Sequence, residues 1–182
     1  MVNGICEEFE GVEVGDARLN RRILKVVQKI SQQPKQSFPG LLTRAELLGF
    51  YRLIGHKDVT PEQLMEPHYQ ATAQRAAQAE KALALHDDTN VVHGRGGKGR
   101  DFYELGTNLH GYVCHVSLLV GAERCPLGVG NVAFVDRSPE AKAARSEAEV
   151  PNESVRWLEG VRTVEARYAG MSLVHVMDSD AD

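Results

Sequence analysis

The sequence predicts an α+β protein: a helical N-terminal segment, then three antiparallel strands, a helix and a strand that returns to the sheet. Three observations predict it. Apolar residues recur at helical spacing between Asp16 and about Lys81. After Lys81 the texture turns to short β-branched runs joined by glycine-rich connections. Two of these runs close on aspartates. Leu83-Ala84-Leu85-His86 leads into Asp87 and Asp88; Leu173-Val174-His175-Val176-Met177 leads into Asp178, with Asp180 and Asp182 beyond.

Each element has its own signal. Asp16 caps a helix running to about Ile30. Its inward stripe is Leu19, Ile23, Val26, Val27 and Ile30, with Arg18, Arg21, Arg22, Lys25 and Lys29 largely on the other side. Ser31 to Pro39 carries two prolines and breaks the pattern. A second helix spans Arg44 to Ile54, with Leu47, Leu48 and Tyr51 inward, and Gly55 to Val59 is a loop. Thr60-Pro61-Glu62-Gln63 starts a third helix: Thr60 caps, Pro61 fills the first turn and Gln63 closes a capping box. That helix is expected to reach about Lys81, kinked or split at Pro67.

Strands are predicted over Lys81–His93, His110–Val120 and Leu127–Asp136. Ser138 to Val150 is charged, alanine-rich and without an apolar stripe, so it reads as a loop or a weak surface helix. Asn152 to Tyr168 is an amphipathic helix with Val155, Leu158, Val161 and Tyr168 inward. Gly170 ends it, and the strand leading to Asp178 follows. There is no internal repeat and no low-complexity tract.

At 182 residues, 42% hydrophobic and 25% charged, the composition is that of an ordinary globular protein. No stretch approaches the roughly 20 apolar residues of a membrane helix, so no membrane partner is expected. Met1-Val2-Asn3-Gly4 does not open a secretory signal. Cys6, Cys114 and Cys125 are odd in number and lack CxxC spacing, which reads as reduced thiols in a cytosolic protein. Charge is unevenly placed. Residues 17–57 hold nine Lys or Arg against one acid, Glu46, a net of +8, so the remainder carries −12 of the chain's total of −4. A local basic patch, not the total, sets attraction to phosphates. The plainer reading is a solvated helix face.

The motifs narrow the chemistry. Gly94, Gly96 and Gly99 spell GxGxxG, but no helix opens on them, so this is not a dinucleotide fingerprint. No Ser or Thr follows Lys98, so it is not a phosphate loop. A hairpin tip with Arg95, Lys98 and Arg100 remains, able to touch a DNA backbone. An aspartate at a strand end is commonly a turn former or cap. Carboxylates at the ends of neighbouring strands instead converge on a hard divalent cation, and two metal ions in such a site serve phosphoryl transfer. His86 and His175 sit inside apolar runs and read as core or near-site histidines rather than ligands. Trp157, the only tryptophan, is expected in helix–sheet packing.

An ordered set of segments is similar to bacterial cut-and-paste DDE transposases of the transposon-five type, within the insertion-sequence-four group. Phe9 and Gly15-Asp16-Ala17-Arg18-Leu19-Asn20-Arg21-Arg22 resemble the family's "GD-R-L--R" helix. Ala45 to Arg52 resembles its "YRF" helix; Val59-Thr60-Pro61-Glu62 with His68, Thr72 and Arg75 resembles the next. Leu85-His86-Asp87-Asp88-Thr89 resembles the "DTT" strand, Glu153 to Leu158 the "ES-KWL" helix, and Val176 to Asp182 the "DREAD" segment.

The resemblance implies a helical DNA-binding domain over 1–60, a connecting helix over 61–81 and part of a ribonuclease-H-like catalytic core over 82–182. It implies Asp88 and Asp178 as catalytic and metal-binding carboxylates for Mg²⁺ (or Mn²⁺). Arg18, Arg21, Arg22, Lys25 and Lys29 are the expected phosphate contacts on transposon-end DNA. Water attack on a phosphodiester, then attack of the freed 3′-hydroxyl on target DNA, is the implied reaction. A bacterial, cytoplasmic, nucleoid-associated protein is implied.

The departures are Asp87 where Glu or Gln is common, Asn90 where a second Thr is common, and Ser179 at the Arg of "DREAD". The resemblance places a third carboxylate, a glutamate, and a dimerisation region beyond Asp182. Homodimerisation is expected through that region, metal is expected to bind weakly to two carboxylates, and an exposed sheet edge is expected near Asp178. The segment alone is not expected to complete transposition. A second reading is a non-catalytic truncated transposase acting as a DNA-binding regulator or inhibitor. A third is a nucleotide-binding domain using the glycine-rich loop.

Overall fold

The structure is a computed structural model that describes residues 2–79, 81–95, 103–106, 109–135 and 152–178. The chain divides into two compact units, Met1–Ala71 and Thr72–Asp182. The glycine-rich tip at 96–100 and the segment Ser138 to Val150 lie outside the described residues.

The first unit is helical. α1 (Val2–Glu8) runs into a 3-10 turn at Phe9–Gly11; α2 (Ala17–Gln32), a one-turn α3 (Phe38–Leu41), α4 (Arg44–Ile54) and the part of α5 (Pro61–Ala77) up to Ala71 follow. The turn into α2 is clamped by local polar contacts. Gly15 takes φ 83°, a left-handed conformation suited to glycine. Asp16 Oδ1 accepts from the Arg18 amide at 2.7 Å, and Asn20 Oδ1 accepts from the Val14 amide at 3.0 Å. α4 starts on a capping box in which the Thr43 hydroxyl and the Glu46 carboxylate each satisfy the other's backbone amide. α5 starts on the Thr60–Gln63 box predicted for it. Pro67 lies inside α5 without ending it. His68 Nδ1 and Glu8 Oε2, 2.7 Å apart, tie α5 to α1.

Val12, Val14, Ile23 and Leu53 form the core of this unit, with Phe50, Leu24 and Leu64 packed around them. Here α4 departs from expectation. Leu48 and Tyr51 are 51% and 50% exposed rather than inward. The inward stripe is Glu46, Phe50 and Leu53, at helical spacing i, i+4, i+7. The sequence offers two overlapping apolar stripes on α4, and the ion pairs of Glu46 to α2 go with the second.

The second unit is a mixed α+β structure. α5 ends at Ala77, short of Lys81, and β1 (Ala82–Arg95) begins after it. β2 (Tyr103–Gly106), β3 (Leu109–Val120), β4 (Pro126–Val135), α6 (Asn152–Arg167) and β5 (Leu173–Val176) complete it. The short β2 falls where no element was expected. The described strands form one five-stranded sheet of order β2-β3-β1-β5, with β4 also paired to β3. β1 runs antiparallel to β3 and parallel to β5. β5 is the end strand of that order, as expected for the strand before Asp178.

Strand alternation splits β1 into two faces. Ala82, Ala84 and His86 are buried, whereas Leu83, Asp87 and Thr89 are exposed. The core gathers Ala76, Ala84, Leu119, Val164 and Tyr168. The inward stripe of α6 is Trp157, Gly160 and Val164; Tyr168, just past its end, is buried as expected, whereas Leu158 is 41% exposed, contrary to expectation. Gly160 explains the rotation: a Cβ there would stand 2.3 Å from His115 Nε2, so only glycine lets α6 approach β3 this closely.

Candidate nucleic-acid interface and carboxylate site

Arg18, Arg21, Arg22, Lys25 and Lys29 sit at i, i+3, i+4, i+7 and i+11 of α2, one face of that helix. Four of them, with Glu46 and Gly49 of α4, line an open cleft of about 420 Å³. The cations differ in what they touch. Arg18 is 80% exposed and pairs with its own cap, Asp16, at 3.0 Å. Arg21 Nε donates to the Ala17 carbonyl at 3.2 Å, and Arg22 Nη1 to the Gly49 carbonyl at 3.4 Å. Lys25 and Lys29 both reach Glu46, at 2.9 and 2.7 Å. The Lys29 ammonium first, then Lys25 and the Thr43 amide, hold the Glu46 carboxyl far below the usual carboxylate range. All five expected phosphate contacts are therefore engaged within the protein, and Arg18, Lys25 and Lys29 are ion-paired, the two lysines to one carboxylate. Glu46 was legible only as the lone acid of the basic segment, although the Thr43-x-x-Glu46 spacing marks it as a capping residue.

The second site is built by strand register. β1 and β3 pair Asp88 with His115 and His86 with Ser117, while β5 sets His175 beside Ala84. Asp88 follows Ala84 and His86 on the face that packs against α6. Its Oδ1 lies 2.8 Å from His115 Nδ1, and its Oδ2 accepts from Arg156 Nε. The Asp88 and Arg156 side chains are 17% and 19% exposed.

From Asp88 a row of imidazoles crosses the sheet. His115 Nε2 and His86 Nδ1 are 3.3 Å apart, His86 Nε2 and His175 Nδ1 2.8 Å, and His175 Nε2 lies 2.8 Å from Glu165 Oε1. Ser117 Oγ stands 2.9 Å from His86 Nδ1. The rings stack, His86 lying 5.5 Å from His115 and 5.1 Å from His175 between centroids. Trp157 meets His115 edge-on at 5.1 Å, the helix–sheet contact expected of it.

Carboxylates at both ends fix the tautomers. His175 donates a hydrogen bond from Nε2 to Glu165, and His115 donates one from Nδ1 to Asp88. His86 then donates from Nε2 to His175, and its bare Nδ1 accepts from the Ser117 hydroxyl. Burial first, and then the neighbouring His175 and His115, lower the His86 pKa to about 4, so this ring is neutral at neutral pH. Burial, with a smaller contribution from the Asp88 charge, pushes the Cys114 thiol up, which keeps it protonated and inert. The sequence reading missed His115. Its signal was the period-two run Val113, His115, Ser117, Leu119, which points one histidine at the core.

Asp178 lies two residues beyond Val176, at the C-terminal end of β5, and is exposed. Asp88 lies within β1, whereas Asp178 lies past the end of β5, beyond the last β1–β5 pair, Leu85 with Val176; Asp87 is exposed on the opposite face of β1 from His86. Among the described residues no group of three or more His, Cys, Asp or Glu is arranged to hold a metal ion. Asp88 offers oxygen donors of the kind a hard divalent cation takes, but Oδ1 is engaged by His115 and Oδ2 by Arg156.

Together these features define a two-unit protein: a helical unit with a basic face, and a mixed α+β unit with a partly buried carboxylate. Residues 4–59 match the family described as transposase DNA-binding. That match contains the whole of α2 and α4, and it supports a transposase N-terminal domain in this segment with DNA as its partner. No curated protein matches the chain. No described helix is long and apolar enough to cross a membrane.

Proposed function

We propose that this chain acts in DNA transposition: the first unit binds transposon-end DNA and the second is part of a ribonuclease-H-like nuclease core. The family match over residues 4–59 carries the reading. The basic face of α2 supports it, because clustered Lys and Arg on one helix face are the electrostatic footprint of phosphate binding. The sheet supports the nuclease half. A central β1 flanked by antiparallel β3 and parallel β5, with α6 preceding β5, is the order such a core needs.

In this reading Asp88 and Asp178 would hold Mg²⁺ (or Mn²⁺), and the ion would supply activation of a water for attack on a phosphodiester. His115 orients Asp88 from one side. Arg18, Arg21 and Arg22 contact the DNA backbone.

Fluorescence anisotropy of a labelled duplex titrated with the 182-residue chain at several salt concentrations tests the DNA half. Binding should weaken steeply as salt rises, and Arg21→Ala should reduce the log–log salt slope by about 1. Affinity that ignores salt, or a slope unmoved by Arg18→Ala, Arg21→Ala and Arg22→Ala together, removes α2 as the DNA face.

A further inference from the structure

Four hydrogen-bonding gaps separate the carboxylates of Asp88 and Glu165 along the imidazole row. Asp88–His115, His86–His175 and His175–Glu165 each measure 2.8 Å, whereas His115 Nε2 and His86 Nδ1 stand 3.3 Å apart. A carboxylate at each end can only accept, and a neutral imidazole brings one N–H. Three rings therefore supply three protons to four gaps, and the long gap is the one left without. Ser117 sits at that gap. Its hydroxyl, 2.9 Å from His86 Nδ1, donates to this nitrogen and leaves His115 Nε2 facing a second bare nitrogen.

A second arrangement uses the same number of protons. With the protons of His86 and His175 both on Nδ1, every gap from His175 inward to Asp88 is filled. Ser117 is still served, because a hydroxyl accepts as well as donates. The unfilled gap then falls between His175 Nε2 and Glu165, a lone pair against an anion. The Glu165 charge forbids that arrangement. Its side chain is 56% exposed at the open end of the row, whereas His115 at the inner end is 2% exposed.

We propose that Glu165 is a positioning residue for Asp88: its charge makes the row donate outward, and so sets how strongly His115 holds the carboxylate at the far end. Hydrogen bonds in a chain polarise one another, so a ring that receives a donor at Nε2 gives a stronger bond from Nδ1. Without the Glu165 charge, water serves the outer nitrogen of His175, the row turns inward with no net gain or loss of protons, and His115 tightens on Asp88. Neither metal nor DNA enters this inference, so it stands apart from the nuclease reading.

The test is the ring-nitrogen NMR spectrum of the ¹⁵N-labelled chain at one neutral pH, which separates protonated from bare imidazole nitrogens. Wild type should show His86 and His175 protonated on Nε2 and His115 on Nδ1. In Glu165→Ala, His86 and His175 should both change to Nδ1, while His115 keeps its Nδ1 proton and that proton moves downfield. Glu165→Lys, which places a donor beside His175 Nε2, should complete the same change. A merely structural loosening of α6 would not exchange two tautomers. Unchanged His86 and His175 in both variants overturn the proposal, as does a wild-type ring protonated on both nitrogens. Inversion without the downfield move of the His115 proton removes the link to Asp88.

Discussion

Glu46 Oε2 lies 2.7 Å from Lys29 Nζ, so the first turn of α4 places a carboxylate in the most basic part of the chain. The same carboxylate holds Lys25 and completes the α4 capping box. One side chain thereby bridges two helices and masks two cations on the face proposed to meet DNA.

Removing that charge should release the lysines. Glu46→Gln keeps an amide able to close the capping box but cannot form the ion pairs. Non-specific DNA affinity at low salt should rise, and the log–log salt slope should steepen by about 1 to 2 as Lys25 and Lys29 become available. Anisotropy titrations against wild type measure both. An unchanged slope means that DNA already draws the lysines off Glu46 in the wild type.

Glu46 should also shape stability against acid. Its folded pKa is depressed by Lys29, Lys25 and Thr43. The stabilisation is therefore present above the ordinary carboxylate range and is lost as the pH falls through the folded value. Thermal melts of wild type should decline with acidification below about pH 4.5 more steeply than those of Glu46→Gln.

His86 should act at higher pH. Its folded pKa is about 4, below the usual histidine value, because of burial and the flanking His175 and His115. The unfolded chain then takes up the proton first, so stability is full above about pH 6.5 and is lost as pH falls toward the folded value. Asp88 and Glu165 face the two ends of the same row, beside His115 and His175. Urea denaturation of wild type should weaken between those limits, and His86→Gln should flatten that portion of the profile.

Gly160→Ala tests the close approach of α6 to β3. An added Cβ would meet His115 Nε2 at 2.3 Å, and that ring is held by Asp88 on its far side. The overpacking should cost about 1–3 kcal/mol, against a helix-propensity gain of about 1 kcal/mol. Gly49→Ala is the comparison. Its Cβ meets Arg22 Nε at 3.1 Å, the end of a flexible side chain, so it should be near neutral. Urea midpoints for the two variants that coincide would show that α6 has room to move off the sheet.

Local chemistry made much of the fold legible in the sequence. Asp16 starts α2, the Thr60–Gln63 box starts α5, and the strands fall in the predicted order, because caps and period-two runs act over a few residues. Short elements were missed: α1, α3 and β2 are too brief to carry a periodic signal. Helix rotation was missed as well. On α4 and α6 more than one apolar stripe competes, and the winner is set by Glu46 on one and Gly160 on the other.

By itself the sequence determined where helices and strands begin, that positive charge gathers between residues 17 and 57, and that two aspartates follow apolar strands. Only the tertiary structure decided that Lys25 and Lys29 answer to Glu46, and that Asp88 lies between His115 and Arg156. The reason is physical. Those partners stand between 17 and 68 residues apart along the chain, and what joins them is strand register and the angle at which a helix lies on its neighbours, which no local pattern encodes.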